Sequence, residues 1–246
     1  MTIALAQQLP GLAPVERIRA IRAALGGEIV FTTSFGLEDQ VLTHLIAESG
    51  ADIAFATLDT GRLFPETHAL WAETEARYGI KVFAYAPRHE AVEDYVAGNG
   101  INGFYASLEA RKACCHIRKV EPLGRALKGA SGWITGLRAD QSAARHDTPF
   151  AEENAQYGLV KLNPLLDFTR DDALAFAKAH DVPINPLHER GFLSIGCAPC
   201  TRAVEPGEPE RAGRWWWEDE TKKECGLHVG PDGRFVRPEP VKEAFA

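Results

Sequence analysis

Five cysteines mark where this chain of 246 residues could do chemistry. Cys114 and Cys115 are adjacent within a helical-looking stretch, Glu109 to Val120, and Cys197-Ala198-Pro199-Cys200 forms a CxxC far downstream. Four thiolates can hold zinc or an iron-sulfur cluster. Neighbouring helical residues point roughly 100° apart, so an adjacent pair converges poorly on one zinc ion. A four-iron cube asks for less convergence, because each thiolate binds a different iron. The spacing therefore favours a [4Fe-4S] cluster on Cys114, Cys115, Cys197 and Cys200, with zinc and inert buried thiols as the alternatives. A thioredoxin-like CxxC belongs between a strand and a helix, whereas this one falls in an irregular segment. A zinc deaminase fits poorly, since none of the eight histidines begins an HxE.

The fifth cysteine, Cys225, sits in Lys222-Lys223-Glu224-Cys225-Gly226-Leu227-His228. A cationic setting lowers a thiol's pKa and raises its thiolate fraction, and a tail position would let a nucleophile approach and leave a substrate. Taken alone, a lone cysteine fits a passive thiol as well as a reactive one.

Two loops have the composition of an anion site. Thr32-Thr33-Ser34-Phe35-Gly36-Leu37-Glu38-Asp39 falls where an apolar strand turns into a helix, and there hydroxyls and free backbone N–H groups collect at a helix N-terminus. Leu58-Asp59-Thr60-Gly61 ends the next strand and should lie beside it at the carboxyl edge of the sheet. Without other evidence the first loop reads equally as an ordinary capped turn. No GxxxxGK[ST] is present, so this is not a Walker P-loop, and the Gly98, Gly100, Gly103 spacing opens no helix. Lys119, four residues after Cys115, would share its helical face. Arg138 and the pair Arg211 and Arg214, three apart and so aligned on a helix, are further candidates for anion contact, each of them a surface charge by default.

These residues need a frame. Helices are expected at Val15 to Leu25, Leu37 to Ser49, Pro65 to Tyr78, His89 to Ala97 and Thr169 to Ala179, the last capped by Thr169. Strands are expected at Ile29 to Thr33, Ile53 to Leu58, Lys81 to Ala86, Gly132 to Thr135 and Leu159 to Leu162. Alternation of this kind implies an α/β fold with a mostly parallel sheet and helices on both faces. After Pro183 the rhythm is lost, and the division expected is an α/β domain over residues 1–200 and a mobile, loop-rich tail over 201–246. Trp215-Trp216-Trp217 reads as an anchor docking a short helix.

Charge and hydropathy narrow the function. Apolar residues make up 45% of the chain, and 27 Lys and Arg against 34 Asp and Glu leave a net charge of −7. Nothing in that balance suggests a nucleic-acid or anionic-membrane surface. No apolar run approaches the about 18 residues of a membrane span, and the opening MTIALAQQLPGLAPVER lacks a basic signal region, so a cytoplasmic location is expected. In that reducing compartment cysteines serve as ligands or reactants rather than disulfides. A homo-oligomer is compatible with the sequence, which does not set a copy number.

The TTSFGLED and LDTG loops, Cys114-Cys115 with Lys119, TGLRADQS from Thr135 to Ser142, the CxxC and KKECGLH together resemble the assimilatory adenylyl-sulfate and phosphoadenylyl-sulfate reductases, from about Phe31 to His228. Each motif is weak alone; their order and spacing are specific. The CC and CxxC pairs resemble the cluster-bearing branch. The resemblance implies an adenine-nucleotide hydrolase-like fold and a sulfonated nucleotide held by Ser34, Phe35, Gly36, Asp59, Thr60 and Gly61. It implies Lys119, Arg138, Arg211 and Arg214 around the phosphosulfate, with His228 also at the substrate. It further implies Cys225 as the nucleophile that receives the sulfonyl group, and thioredoxin as reductant. The 3′-phosphorylated nucleotide is the nearest alternative substrate. An ATP pyrophosphatase would read SGGxDS where this chain reads SFGLED, and a non-catalytic metal-binding module is the remaining rival.

Overall fold

A computed structural model describes residues 1–142 and 145–219. Cys225 and His228 therefore lie outside the described residues. After two N-terminal helices, α1 (Thr2–Gln8) and α2 (Pro14–Ala24), the chain alternates β1 (Ile29–Thr32), α3 (Leu37–Ser49), β2 (Ala54–Thr57), α4 (Pro65–Tyr78), β3 (Val82–Ala84) and α5 (His89–Asn99). Helix α6 (Leu108–Cys115) runs through a π-turn (His116–Val120) into α7 (Glu121–Ala126); β4 (Gly132–Ile134), β5 (Ala151–Asn154), β6 (Leu159–Leu162) and α8 (Arg170–Ala179) follow.

The six strands are ordered β3-β2-β1-β4-β6-β5. Every pair is parallel except β5 with β6. This is the α/β sheet that the strand and helix spacing predicts, with one addition: β5, whose Glu152 and Glu153 hide its strand character, joins as an antiparallel edge. Alternate residues of β1 serve two cores, as a strand's period of two requires. Ile29 and Phe31 pack with α2, α3, α4 and α8, and Val30 packs with Trp133 and Leu123 of α7 on the other face. Helix ends follow local chemistry: Gly50 (φ 67°) and Gly79 (φ 63°) close α3 and α4 in the left-handed region that a side chain resists. Thr169 forms a capping box with Asp172 at the start of α8.

Residues 201–219 run over the domain, with Thr201 bridged to Arg214 and a buried ion pair between Arg111 and Glu218. Trp215 is buried there between two guanidinium groups, Arg111 at 4.6 Å and Arg214 at 4.7 Å from its ring. Trp215 thus anchors this segment, while Trp216 is exposed, and it does so through turns: among the described residues no helix forms around the three tryptophans. The reason is Arg214, whose backbone is drawn into the bridge with Thr201 and so leaves helical geometry. Among the described residues no helix is long and apolar enough to cross a membrane.

Candidate active site

The chain leaves β1 first toward β2 and β3 and later returns to place β4 on its other side, so the order reverses between β1 and β4. At such a switch point the loops after the two strands diverge and open a crevice. A cleft of about 200 Å³ lies there, lined by the Thr32–Asp39 loop, by Thr57, Leu58 and Thr60 after β2, and by Thr135, Gly136 and Leu137 after β4. Gly136 is required at this point. A Cβ on it would come within 2.2 Å of the Asp39 carboxylate and 3.1 Å of Glu38, so the two loops approach only because it is absent.

The first loop is wound tightly by its own side chains. Asp39 accepts from the Ser34 amide at 2.6 Å and from its hydroxyl at 2.7 Å, and Thr33 Oγ1 accepts from the Phe35 amide at 3.0 Å. Phe35 takes a left-handed backbone (φ 57°), which turns its ring away from the cleft onto Trp71, stacked at 5.6 Å. Burial pushes the Asp39 carboxyl up to about 6, against the pull of its two Ser34 bonds and with the push of Glu38.

Of the residues singled out in the sequence, Ser34, Gly36, Thr60, Lys119, Arg211 and Arg214 line this one cleft. Phe35, Asp59, Gly61 and Arg138 are not on its wall. Asp59 instead accepts from the Gly61 amide at 3.0 Å and shapes the turn, while Gly61 (φ 67°) lets Arg118 reach the Thr60 carbonyl at 2.6 Å. Arg138 lies elsewhere than the resemblance implies. It is fully buried and bonded to Glu38, Asp140 and Glu210, so its charge is taken up by carboxylates rather than turned to the cleft. Arg211 and Arg214 are brought together by a turn, with the Arg214 amide bonded to the Arg211 carbonyl, and not by the helical face that their spacing suggests. Gly196 gives Arg214 its place, since a Cβ there would sit 2.2 Å from the guanidinium. Gln141, from the TGLRADQS segment, also lines the cleft, as do Arg145, His188 and the Leu193–Gly196 stretch, which no local pattern distinguishes from ordinary loop residues.

A second, small cavity adjoins the first. Cys114, Cys115, Cys197 and Cys200 all line it, each buried and, among the described residues, none in a disulfide, with Arg62, Arg111, Arg118 and Lys119 around them. Lys119 lines both cavities. The helix expected to carry it from Cys115 is not purely α: immediately after Cys115 it widens into the π-turn, whose i→i+5 bonding shifts the residues that follow. Burial pushes the Cys200 thiol up to about 12, aided by Cys197. At Cys197 burial also pushes upward but is outweighed by Lys119, the Thr60 hydroxyl at 3.3 Å, Arg214 and Arg118, and the net shift is downward. Four buried thiols ringed by four cations form a donor set that fits a group binding them as thiolates. Among the described residues no three ligating side chains converge as a single ion would require; the thiols stand around a cavity instead.

Known proteins place this arrangement. A family profile described as phosphoadenosine phosphosulfate reductase domain matches residues 28–203. An adenosine 5'-phosphosulfate reductase of Sinorhizobium fredii is 54% identical over 235 residues, covering 96% of this chain and 93% of its own. One of Allochromatium vinosum is 54% identical over 200 residues, covering 81% and 78%. The crystal structure of phosphoadenylyl-sulfate reductase from Candida auris, a phosphate complex, superimposes with a TM-score of 0.70 at 27% identity, covering 82% of this chain and 96% of that one. An FMN adenylyltransferase of Candida glabrata shares the fold at a TM-score of 0.51 and 17% identity. With the family match spanning the sheet, both polar loops and all four clustered cysteines, the chain belongs to the phosphoadenosine phosphosulfate reductase family.

Proposed function

We propose that this protein is an enzyme that reduces adenylyl sulfate to sulfite and AMP in assimilatory sulfate reduction. The observation that carries the reading is Lys119, shared by the switch-point cleft and the thiol cavity, so that an anion in the first lies beside whatever the second holds. The cleft takes the nucleotide. Ser34 and Gly36 offer hydroxyl and backbone donors at the start of α3, and Lys119, Arg211 and Arg214 supply positive charge for the phosphosulfate. The relatives named adenosine 5'-phosphosulfate reductase support the unphosphorylated nucleotide as substrate.

Cys114, Cys115, Cys197 and Cys200 would hold a [4Fe-4S] cluster, which when bound supplies an electrostatic centre beside the substrate. The reaction itself runs at sulfur. The Cys225 thiolate attacks the sulfate sulfur, the bond from sulfur to the phosphate oxygen breaks, and AMP leaves with that electron pair, giving a thiosulfonate on Cys225. A thioredoxin thiolate then attacks the Cys225 sulfur and expels sulfite with the electron pair of the broken S–S bond. The second thioredoxin thiol resolves the mixed disulfide, so thioredoxin is oxidised and sulfate sulfur reduced by two electrons. Reduced thioredoxin is maintained in the cytoplasm, where we place the enzyme.

The test is anaerobic sulfite release with reduced thioredoxin, comparing adenylyl sulfate with its 3′-phosphorylated form. A larger kcat/KM for adenylyl sulfate is expected. Sulfite from neither nucleotide would refute the activity, and a preference for the phosphorylated form would reassign the substrate.

A further inference from the structure

His188 belongs to no motif noted in the sequence, yet it lines the cleft and is held there rigidly. It lies on a 3₁₀ turn, Pro186–Arg190, whose start is fixed by buried Asn185: the Asn185 side chain accepts from the Leu187 amide at 3.0 Å and donates to Thr67 at 3.2 Å. Gly191 (φ 83°) ends the turn and brings the chain back, so that the Phe192 carbonyl meets His188 Nδ1 at 2.8 Å. Phe192 is itself pinned against Phe64, ring on edge at 5.6 Å.

That one contact decides the tautomer. A carbonyl oxygen only accepts, so Nδ1 carries the hydrogen. Burial, reinforced by Arg170, holds the imidazole below its ordinary range against the Phe192 bond and Glu38, so the ring is neutral at physiological pH. Nε2 is then a bare lone pair, and it is buried without a hydrogen-bond partner among the described residues. A buried acceptor left unpaired is costly. Lys119, which also lines the thiol cavity, and Arg214, which acts on Cys200, supply the positive charge that an anion in this cleft needs. A bare acceptor is of no use to a phosphate or sulfate. It suits a neutral N–H or O–H.

We propose that His188 is a specificity-determining residue, its Nε2 accepting a hydrogen bond from a neutral donor of the bound nucleotide, a ribose hydroxyl or the adenine amine. The inference rests on the reading of the cleft as the nucleotide site and adds the residue that tells the nucleoside portion from a bare phosphosulfate.

The experiment titrates the anaerobic holoenzyme by calorimetry with AMP, 2′-deoxy-AMP, 3′-deoxy-AMP and purine riboside 5′-monophosphate, which lacks the amine. Each ligand is measured against wild type and His188→Leu. In wild type, one analogue should bind about 3- to 10-fold more weakly than AMP, as loss of a neutral hydrogen bond implies. In His188→Leu, AMP should fall by a similar factor while that same analogue loses nothing further. If AMP binds wild type but every analogue loses the same factor in both proteins, His188 has no such role and the nucleotide reading survives. If AMP does not bind wild type at all, the nucleotide reading falls and the inference with it. A measurement without any variant guards against misfolding. In histidine-labelled ¹⁵N spectra of wild type, the His188 Nε2 resonance should report an unprotonated nitrogen that shifts with AMP and not with the uncoupled analogue; an Nε2 signal indifferent to AMP would overturn the proposal.

Discussion

Arg138 and Glu210, far apart in the chain, meet in an ion pair in which Nη2 of the arginine donates to both carboxylate oxygens, at 2.9 and 2.7 Å, and the arginine is fully buried. Glu210 immediately precedes Arg211, so the pair fixes the backbone that presents Arg211 to the cleft. Glu38, from the first turn of α3, holds the same guanidinium at 2.7 Å. Three segments that frame the cleft are thus tied at one buried charge.

Removing one partner strands the other. Arg138→Ala should destabilise the fold by roughly 3 to 5 kcal/mol, the range for a broken buried pair, and should also weaken nucleotide binding through Arg211 without removing a cleft-lining cation. Urea denaturation and nucleotide titration check both. An unchanged stability would show that the three carboxylates do not need their cation.

Gly136→Ala places a methyl group on the Asp39 carboxylate, at 2.2 Å before relaxation. The β1 and β4 loops must then part, at a cost of about 1 to 3 kcal/mol, as overpacking does. Nucleotide affinity should drop with stability. The same substitution at Gly11, which has open space around it, should leave affinity unchanged.

The Asp39 carboxyl is raised to about 6 by burial, so the folded state holds its proton more tightly than the unfolded chain. Its contribution is therefore most favourable below pH 4 and is lost as pH rises through about 6, leaving a penalty of roughly 3 kcal/mol at neutral pH. Asp39→Asn can still accept from Ser34 but does not ionise. It should be more stable than wild type at pH 7.5, and the difference should vanish at pH 4. A constant difference between the two proteins across that range would contradict the assignment.

Cys114, Cys115, Cys197 and Cys200 should each, when changed to Ser, lose iron, sulfide and visible absorbance together. Elemental analysis of the anaerobically purified protein decides the metal. Zinc in place of iron would sink the cluster.

Cys225→Ser should keep its cluster and bind nucleotide yet release no sulfite, because a hydroxyl is a far poorer nucleophile than a thiolate. Wild type without thioredoxin should release about one equivalent of AMP per site and no sulfite, as a covalent intermediate requires. Peptide mass analysis should find the added SO₃ on Cys225. An adduct elsewhere would defeat the mechanism.

Much of this was local and hence legible in the sequence. Helices α3 and α4 span the very residues that the apolar spacing and the glycine stops mark out, and Thr169 caps α8 as its neighbours suggest, because caps and periodicity depend on residues within a turn or two. The cysteine spacing was legible for the same reason, as was the likeness of the ordered motifs to a family. Edge strand β5 was not: its partner β6 supplies the pairing that Glu152 and Glu153 do not signal. Nor could spacing tell that Arg138 would be enclosed by three carboxylates, that a turn would align Arg211 with Arg214, or that His188 would enter the cleft with one nitrogen bonded and the other bare. Residue type sets what a side chain can do, while its charge partners and its burial come from segments distant in the chain, and only tertiary packing brings those segments together.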